Sequence, residues 1–168
     1  PSPNIPNNMT ALVYNGMCLI EGTNLSEGRG TKIPFIQFGA PWLNSGKLIK
    51  LLNKKNIRGV RFKKVRFTPT EYPFHKYYSQ KCNGVKLIVH DERLFHPLKT
   101  SVEILKVVQK IHPNHFQFLD NNFIDKLYGS DKFRKYILSN DDNLKDLYAD
   151  WINHEQKFKE DSMRFLLY

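Results

Sequence analysis

The segment 21–35, EGTNLSEGRGTKIPF, carries the side chains of this chain that are best suited to chemistry. Its fifteen residues include two carboxylates, three hydroxyls, one guanidinium and three glycines. Arg29 can bind a carboxylate through two parallel hydrogen bonds. Glu21 lies between an apolar run and Gly22, where burial would raise its pKa toward that of a general acid. The polar residues that we assign to substrate binding, together with Arg29, are Thr23, Asn24, Ser26, Glu27 and Thr31.

The same segment is also typical of a glycine-rich connector. Gly22, Gly28 and Gly30 exclude a comfortable helix or strand between residues 21 and 31. In such a connector the hydroxyl and amide side chains bond to their own backbone. Spacing alone does not separate a recognition loop from a connector.

Other motifs are incomplete. Gly28-Arg29-Gly30 lacks the third glycine of a dinucleotide loop, and Gly46-Lys47 is not followed by the Ser or Thr of a P-loop. The six histidines are scattered without the spacing of a metal site, so no metal and no cofactor are predicted. The serines and cysteines lack a nucleophile elbow, so a hydrolase triad is unsupported.

The composition indicates a basic globular domain. A length of 168 residues suits one domain, and the net charge of +10 favours anionic partners. Cys18 and Cys82 do not define a disulfide framework. No apolar run approaches the roughly 20 residues that a membrane helix needs, and no signal peptide is visible.

The pattern along the chain predicts an α+β fold with a small mixed sheet, in which strands and loops dominate the first half and helices the second. Residues 1–8 contain three prolines and three asparagines and are typical of a linker. In the apolar run 10–21, Thr10 could cap a short helix, Gly16 favours a turn between two short pieces, and periodicity does not decide between them. Residues 164–168 are apolar enough to form a docked strand. The other predicted strands are 60–68 and 85–90, and the predicted helices are 44–53, 101–111, 122–127, 131–138 and 143–158.

Several stretches of the chain share a pattern with one known family. They are PSPNIP, TALVYNGMCLIEGTNLSEGRGT, FGAPW, KCNGVK, FIDKLYG and the closing RFLLY, with Trp151 between the last two. Together they resemble the signature of the YbbC family of exo-β-N-acetylmuramidases, also called NamZ and formerly DUF1343. The resemblance covers essentially the whole chain.

The resemblance implies that residues 9–168 are the C-terminal domain of a two-domain protein, entered through the 1–8 linker. A Rossmann-like N-terminal domain would share an interdomain active site with it, so this chain alone is expected to be inactive. Such proteins remove terminal N-acetylmuramic acid from the non-reducing ends of peptidoglycan fragments. The implied ligands are therefore muramic-acid saccharides, and the implied location is secreted or periplasmic.

The resemblance also implies roles within the segment 21–35. N-acetylmuramic acid carries a lactyl carboxylate, for which Arg29 is the natural partner. Glycoside hydrolysis uses two acid groups, and Glu21 is one of them or orients an acid of the other domain. Lys32 and Ile36 depart from the family pattern, where a Thr and a Glu are expected.

Two other functions stay open at this point. The first is a non-catalytic glycan-binding module of cell-wall turnover, degenerate at Ile36. The second is a nucleic-acid binder that uses the basic stretch 50–66, which would show salt-sensitive DNA binding. We recognise no RNA-binding aromatic motif, zinc finger or arginine-rich run in the sequence, so we expect no nucleic-acid partner.

Overall fold

The structure is a computed structural model that describes residues 2, 4–71, 75–139, 141 and 144–166. The contacts between residues divide the chain into two units, 1–138 and 139–168. The sheet described below lies in the first unit, and the longest described helix lies in the second.

A three-stranded sheet organises the first unit. Its strands are β1 (Gln37–Ala40), β2 (Val60–Phe67) and β3 (Cys82–Val89), with β3 in the middle. The register places Phe62 opposite Leu87 and Phe38 opposite Val85, so these apolar side chains share one face. The α+β class is confirmed. Both strand pairs are antiparallel, so the sheet formed by the described residues is not a mixed one.

One helix packs on this sheet, and the helices of the first unit supply much of the core. The helices of the first unit are α1 (Asn8–Met17), α2 (Ser45–Lys54), α3 (Pro97–Ile111), α4 (Phe123–Tyr128) and α5 (Lys132–Leu138). Short 3₁₀ turns lie at Cys18–Gly22 and Asp120–Asn122. α2 packs on β2 and β3, and α3 contacts α1, α2 and α5. Ile104, Leu105 and Val108 of α3 are fully buried, which makes α3 the central helix of the core.

The ends of two helices follow from local chemistry. The side chain of Asn44 accepts a hydrogen bond from the Lys47 amide and caps α2, at the start of the predicted helix 44–53. Gly129, with a φ of 89°, ends α4, which corresponds to the predicted helix 122–127. α1 begins at Asn8, where the predicted linker ends, and Asn7 is its N-cap.

The predicted turn at Gly16 is wrong, because α1 continues through this residue. A Cβ atom at Gly16 would lie 2.2 Å from the carbonyl oxygen of Pro97, at the start of α3. Glycine is needed here because two helices approach closely, and not because the chain reverses. The first half of the chain therefore contains α1 and α2 beside its strands and loops.

The second unit consists of α6 (Lys145–Ser162) and a 3₁₀ turn at Met163–Phe165. The predicted helix 143–158 is confirmed from Lys145 onward, and Asn143 lies outside the described residues. The strand predicted at 164–168 is wrong as far as residue 166, because Arg164 and Phe165 lie in the 3₁₀ turn and Leu166 belongs to no described strand. Residues 167 and 168 lie outside the described part. Within the described residues, no helix combines the length and apolarity needed to cross a membrane.

Candidate functional site

Glu21 and Arg29 meet at a cavity of about 270 Å³ in the first unit. Arg29 Nη2 lies 2.8 Å from Glu21 Oε2, and Arg29 Nε lies 3.8 Å from Glu27 Oε1. The described residues that line the cavity are Glu21, Glu27, Arg29, His75, Lys76 and Phe123. The segment 21–35 thus brings both of its carboxylates and its guanidinium to a single opening.

The backbone of the segment is fixed against the sheet. Ser26 and Gly39 exchange two backbone hydrogen bonds of 2.8 and 2.9 Å. Gly28 has a φ of 79°, and a Cβ atom there would lie 2.6 Å from the carbonyl oxygen of Gln37. Only glycine fits this turn beside β1. These contacts hold the backbone on either side of Arg29 in place, and the Arg29 side chain reaches the cavity.

Four of the predicted binding residues hydrogen-bond to the protein itself. Thr23 and Ser26 are 0% and 2% exposed. The Thr23 hydroxyl donates to the Ile20 carbonyl and accepts from the Leu25 amide, and the Ser26 hydroxyl accepts from the Gly28 amide. The Thr31 hydroxyl donates to a backbone carbonyl of the segment at 2.6 Å. The Asn24 side chain bonds backbone groups of the 115–117 turn. These side chains hold the shape of the segment, as the connector interpretation expects, and a substrate contact for them stays a prediction.

Lys76 is a site residue that the sequence analysis missed. Its Nζ lies 3.0 Å from Glu27 Oε2 and within 3.3 Å of the carbonyl oxygens of Ile20, Glu21 and Leu25. An ammonium group has three donors, so these acceptors use all of them. No local motif marks a lysine 49 residues from Glu27. The available signal was charge, because two carboxylates beside one guanidinium favour a second cation nearby.

Burial changes the proton affinity of the charged groups. Burial raises the pKa of Glu21 above its usual value of 4.5; the Arg29 guanidinium opposes this shift and the Glu27 charge reinforces it. Burial lowers the pKa of Lys76 below its usual value of 10.5, against the attraction of Glu27. Glu21 therefore holds a proton at a higher pH than a solvated glutamate does.

The Phe35 ring packs against the Arg29 guanidinium, whereas Ile36 belongs to the core. The Arg29 guanidinium carbon lies 5.3 Å from the centre of the Phe35 ring, and Tyr14 contacts that ring edge-on at 4.8 Å. Ile36 is 9% exposed and is absent from the described lining of the cavity. The departure from the family pattern at position 36 thus alters the core and leaves the described wall of the cavity unchanged.

The histidines of the described residues have other surroundings than a metal site. No group of three or more His, Cys, Asp or Glu side chains in the described part of the chain could hold a metal ion. His112 Nε2 accepts a hydrogen bond of 3.0 Å from the Asn44 amide, and His115 stacks on Trp42 at 5.9 Å. His112 is the C-cap residue of α3, in keeping with its predicted position at a helix end.

The fold has close counterparts among solved structures. A crystal structure of a DUF1343 family protein from Bacteroides fragilis NCTC 9343 superposes with a TM-score of 0.84 at 23% identity, covering 99% of this chain and 44% of that one. A second DUF1343 family protein of the same organism gives a TM-score of 0.72 at 28% identity, covering 100% of this chain and 43% of that one. The first likeness shows the fold alone.

Sequence comparison identifies the family. Residues 12–168 match the family described as exo-β-N-acetylmuramidase NamZ, C-terminal. The chain is 37% identical, over all of its 168 residues, to the peptidoglycan β-N-acetylmuramidase NamZ of Bacillus subtilis (strain 168), and it spans 40% of the length of that relative. The family resemblance found in the sequence is thereby confirmed: the chain belongs to the family of NamZ C-terminal domains.

Proposed function

We propose that this domain takes part in the hydrolysis of terminal N-acetylmuramic acid from peptidoglycan fragments, and that it contributes the cavity of Glu21 and Arg29 to the active site. The observation that carries the proposal is the ion pair of these two residues at the mouth of that cavity. The basic net charge of +10 suits an anionic glycan.

Arg29 is the group that recognises the lactyl carboxylate. Its side chain is 31% exposed, so a ligand can reach the guanidinium. The Nε–H is buried and has no hydrogen-bond acceptor among the described residues, because Glu27 Oε1 at 3.8 Å lies beyond hydrogen-bond range, so a ligand would bind through the terminal nitrogens. A planar guanidinium can donate two parallel hydrogen bonds to a carboxylate. The pairing seen with Glu21 uses Nη2 and leaves capacity for the ligand.

Glu21 is the group that gains a proton when the ligand binds. In the structure, two carboxylates, Glu21 and Glu27, face two cations, Arg29 and Lys76. The carboxylate of the ligand adds one negative charge to these four groups, whose charges otherwise cancel. Protonation of Glu21, whose pKa burial already raises, restores the balance. The protonated carboxyl then serves as the general acid that donates its proton to the leaving glycosidic oxygen.

Glu27 has a supporting role in this scheme. The residue is 5% exposed and its carboxylate accepts a hydrogen bond from Lys76, so it holds the cations in place. Glycoside hydrolysis uses a second acid group. Because the chain spans 40% of the curated relative, we place that second group on another domain of the protein, Rossmann-like by family resemblance.

The experiment is hydrolysis of 4-nitrophenyl N-acetylmuramic acid by the protein that carries this domain. Arg29→Ala removes a charge-assisted contact to the lactyl carboxylate, so we expect kcat/KM to fall by about 10- to 100-fold. Arg58→Ala removes a guanidinium from an exposed position and serves as the matched control. Unchanged kinetics in Arg29→Ala would remove the proposed role. Tight calorimetric binding of muramic-acid fragments without turnover, in the presence of the partner domain, would favour the glycan-binding module instead.

A further inference from the structure

A second cavity, of about 280 Å³, lies where the N-terminus of α2 meets the sheet. Its lining includes Trp42 and Ser45 on one side and Lys64 and Asn83 on the other. It shares no described residue with the cavity of Glu21 and Arg29. α2 is ten residues long, and the first amides of such a helix carry a partial positive charge that favours anions.

Ser45, the first residue of α2, has a buried hydroxyl without a partner. The residue is 2% exposed, and its Oγ atom makes no hydrogen bond to any described residue. Burying a hydroxyl without a hydrogen bond is unfavourable, and native structures rarely contain a buried hydroxyl that lacks a hydrogen-bond partner. Because Ser45 belongs to the lining of the cavity, an anion bound there can accept the hydrogen bond of this hydroxyl.

Gly46, the second residue of α2, has no steric reason to be glycine. The nearest atom to a Cβ built at this position is Asn44 Oδ1 at 3.7 Å, so a side chain would fit. The amides of Ser45, Lys47 and Leu48 donate to residues 43 and 44. No such bond is found for the Gly46 amide among the described residues. Glycine in a helix is unfavourable, and here the glycine belongs to the lining of the cavity.

Lys64 supplies a full positive charge to the same cavity. It lies opposite Val85 in the sheet register and shares the face of Phe62, on which α2 packs. Its side chain is exposed, and it forms no ion pair with any described residue. No carboxylate belongs to the described lining of the cavity. The cavity therefore combines a free ammonium group, a helix N-terminus and an unpartnered hydroxyl.

We infer that this cavity is an oxyanion site, which binds a carboxylate or phosphate group through the Ser45 hydroxyl, the Gly46 amide and the Lys64 ammonium. Trp42 and Asn83 form the adjoining wall, against which the remainder of a ligand would lie. A volume near 280 Å³ is at the lower end of ligand pockets, which suits one acidic sugar or a free anion. The inference does not depend on the function proposed for the first cavity.

The test is a titration of the ¹⁵N-labelled protein in which the Gly46 amide resonance is followed by NMR. Inorganic phosphate and N-acetylmuramic acid are the two anionic probes, and N-acetylglucosamine is the neutral one. We expect a saturable shift of this resonance with phosphate. A matching shift with N-acetylmuramic acid would identify a sugar carboxylate as a ligand, whereas its absence would assign the site to phosphate. An equal shift with N-acetylglucosamine would overturn the oxyanion assignment.

Two variants and one control distinguish binding in this cavity from a non-specific effect of surface charge. Lys64→Gln removes the cation from the cavity, and we expect it to weaken phosphate binding by roughly two- to fivefold. Lys63→Gln makes the same charge change on the opposite face of β2 and is the matched control. Gly46→Ala adds a methyl group at the cavity; its expected result is a higher melting temperature together with weaker phosphate binding. Equal loss in Lys63→Gln and Lys64→Gln, or full binding in Gly46→Ala, would contradict the inference.

Discussion

Arg29 and Glu21 are joined by an ion pair in which Nη2 lies 2.8 Å from Oε2, and both side chains line the same cavity. The pair is partly accessible, because the two side chains are 31% and 14% exposed. An acidic ligand that enters the cavity competes with Glu21 for the guanidinium. Under the proposed function, the pair couples carboxylate binding to the protonation of Glu21.

Substitution of Glu21 by Gln separates binding from hydrolysis. Without the competing carboxylate, Arg29 is free for the ligand, so we expect N-acetylmuramic acid to bind about five times more tightly. Without the general acid, kcat should fall by about 100-fold or more. Calorimetry and turnover of 4-nitrophenyl N-acetylmuramic acid measure the two effects. Weaker binding together with unchanged kcat would show that Glu21 contacts the ligand and transfers no proton.

The pH dependence of the free energy of unfolding should reflect the protonation of Glu21. Burial raises the pKa of Glu21 in the folded state above 4.5, so the folded chain binds this proton more tightly than the unfolded chain. Its contribution to the free energy of unfolding is greatest at low pH and is lost as pH rises from 4.5 through the raised pKa. Urea unfolding of the wild type and Glu21→Gln across this range measures it. We expect the wild type to lose stability relative to the variant as pH rises; a constant or increasing difference would be contrary to the raised pKa.

Lys76 should be more important for stability than a typical surface lysine. Lys76→Met leaves the 5% exposed Glu27 with only the more distant Arg29 guanidinium, at 3.8 Å, and removes the donor from three backbone carbonyls. Breaking a buried pair in this way is strongly destabilising, and we expect a loss of about 3 kcal/mol in the free energy of unfolding. Lys135→Met, which breaks an exposed pair with Asp131, should have little effect. Equal effects in the two variants would show that Lys76 is not structural.

Gly16 should not tolerate even a methyl group. Gly16→Ala places a Cβ atom 2.2 Å from the Pro97 carbonyl oxygen, so α1 and α3 must separate. We expect a loss of about 2 kcal/mol in the free energy of unfolding, of the size found for overpacked cores. Gly46→Ala, where nothing lies closer than 3.7 Å, is the matched control and should be stabilising. A neutral Gly16→Ala would show that the two helices can adjust at no cost.

The sequence predicts those elements whose signals are local. Asn44 and Gly129 mark the start of α2 and the end of α4, because a cap acts within one turn of its helix. β1 was missed, since all four of its residues are buried and give no alternation. Gly16 was misinterpreted because its reason for being glycine is a contact with Pro97, far along the chain.

The residues of the candidate site are likewise predictable only where they lie close together in the sequence. Glu21 and Arg29 stand in one polar segment, and the sequence predicts that they act together. Lys76 stands 49 residues beyond Glu27 and joins them only through the folding of the chain. Thr23 and Ser26 are of residue types that are common in binding loops, yet their hydrogen bonds are internal. Residue type alone does not distinguish a side chain that binds a ligand from one that holds its own loop.

The central claim is that Arg29 recognises the lactyl carboxylate of N-acetylmuramic acid. The most direct measurement is the ratio of kcat/KM for two 4-nitrophenyl glycosides, N-acetylmuramic acid and N-acetylglucosamine, in the wild type and in Arg29→Ala. The two sugars differ only in the lactyl group. We expect the wild type to prefer the acidic sugar and Arg29→Ala to lose about 10-fold or more of that preference. An unchanged ratio in Arg29→Ala would contradict the assignment of Arg29 to the carboxylate.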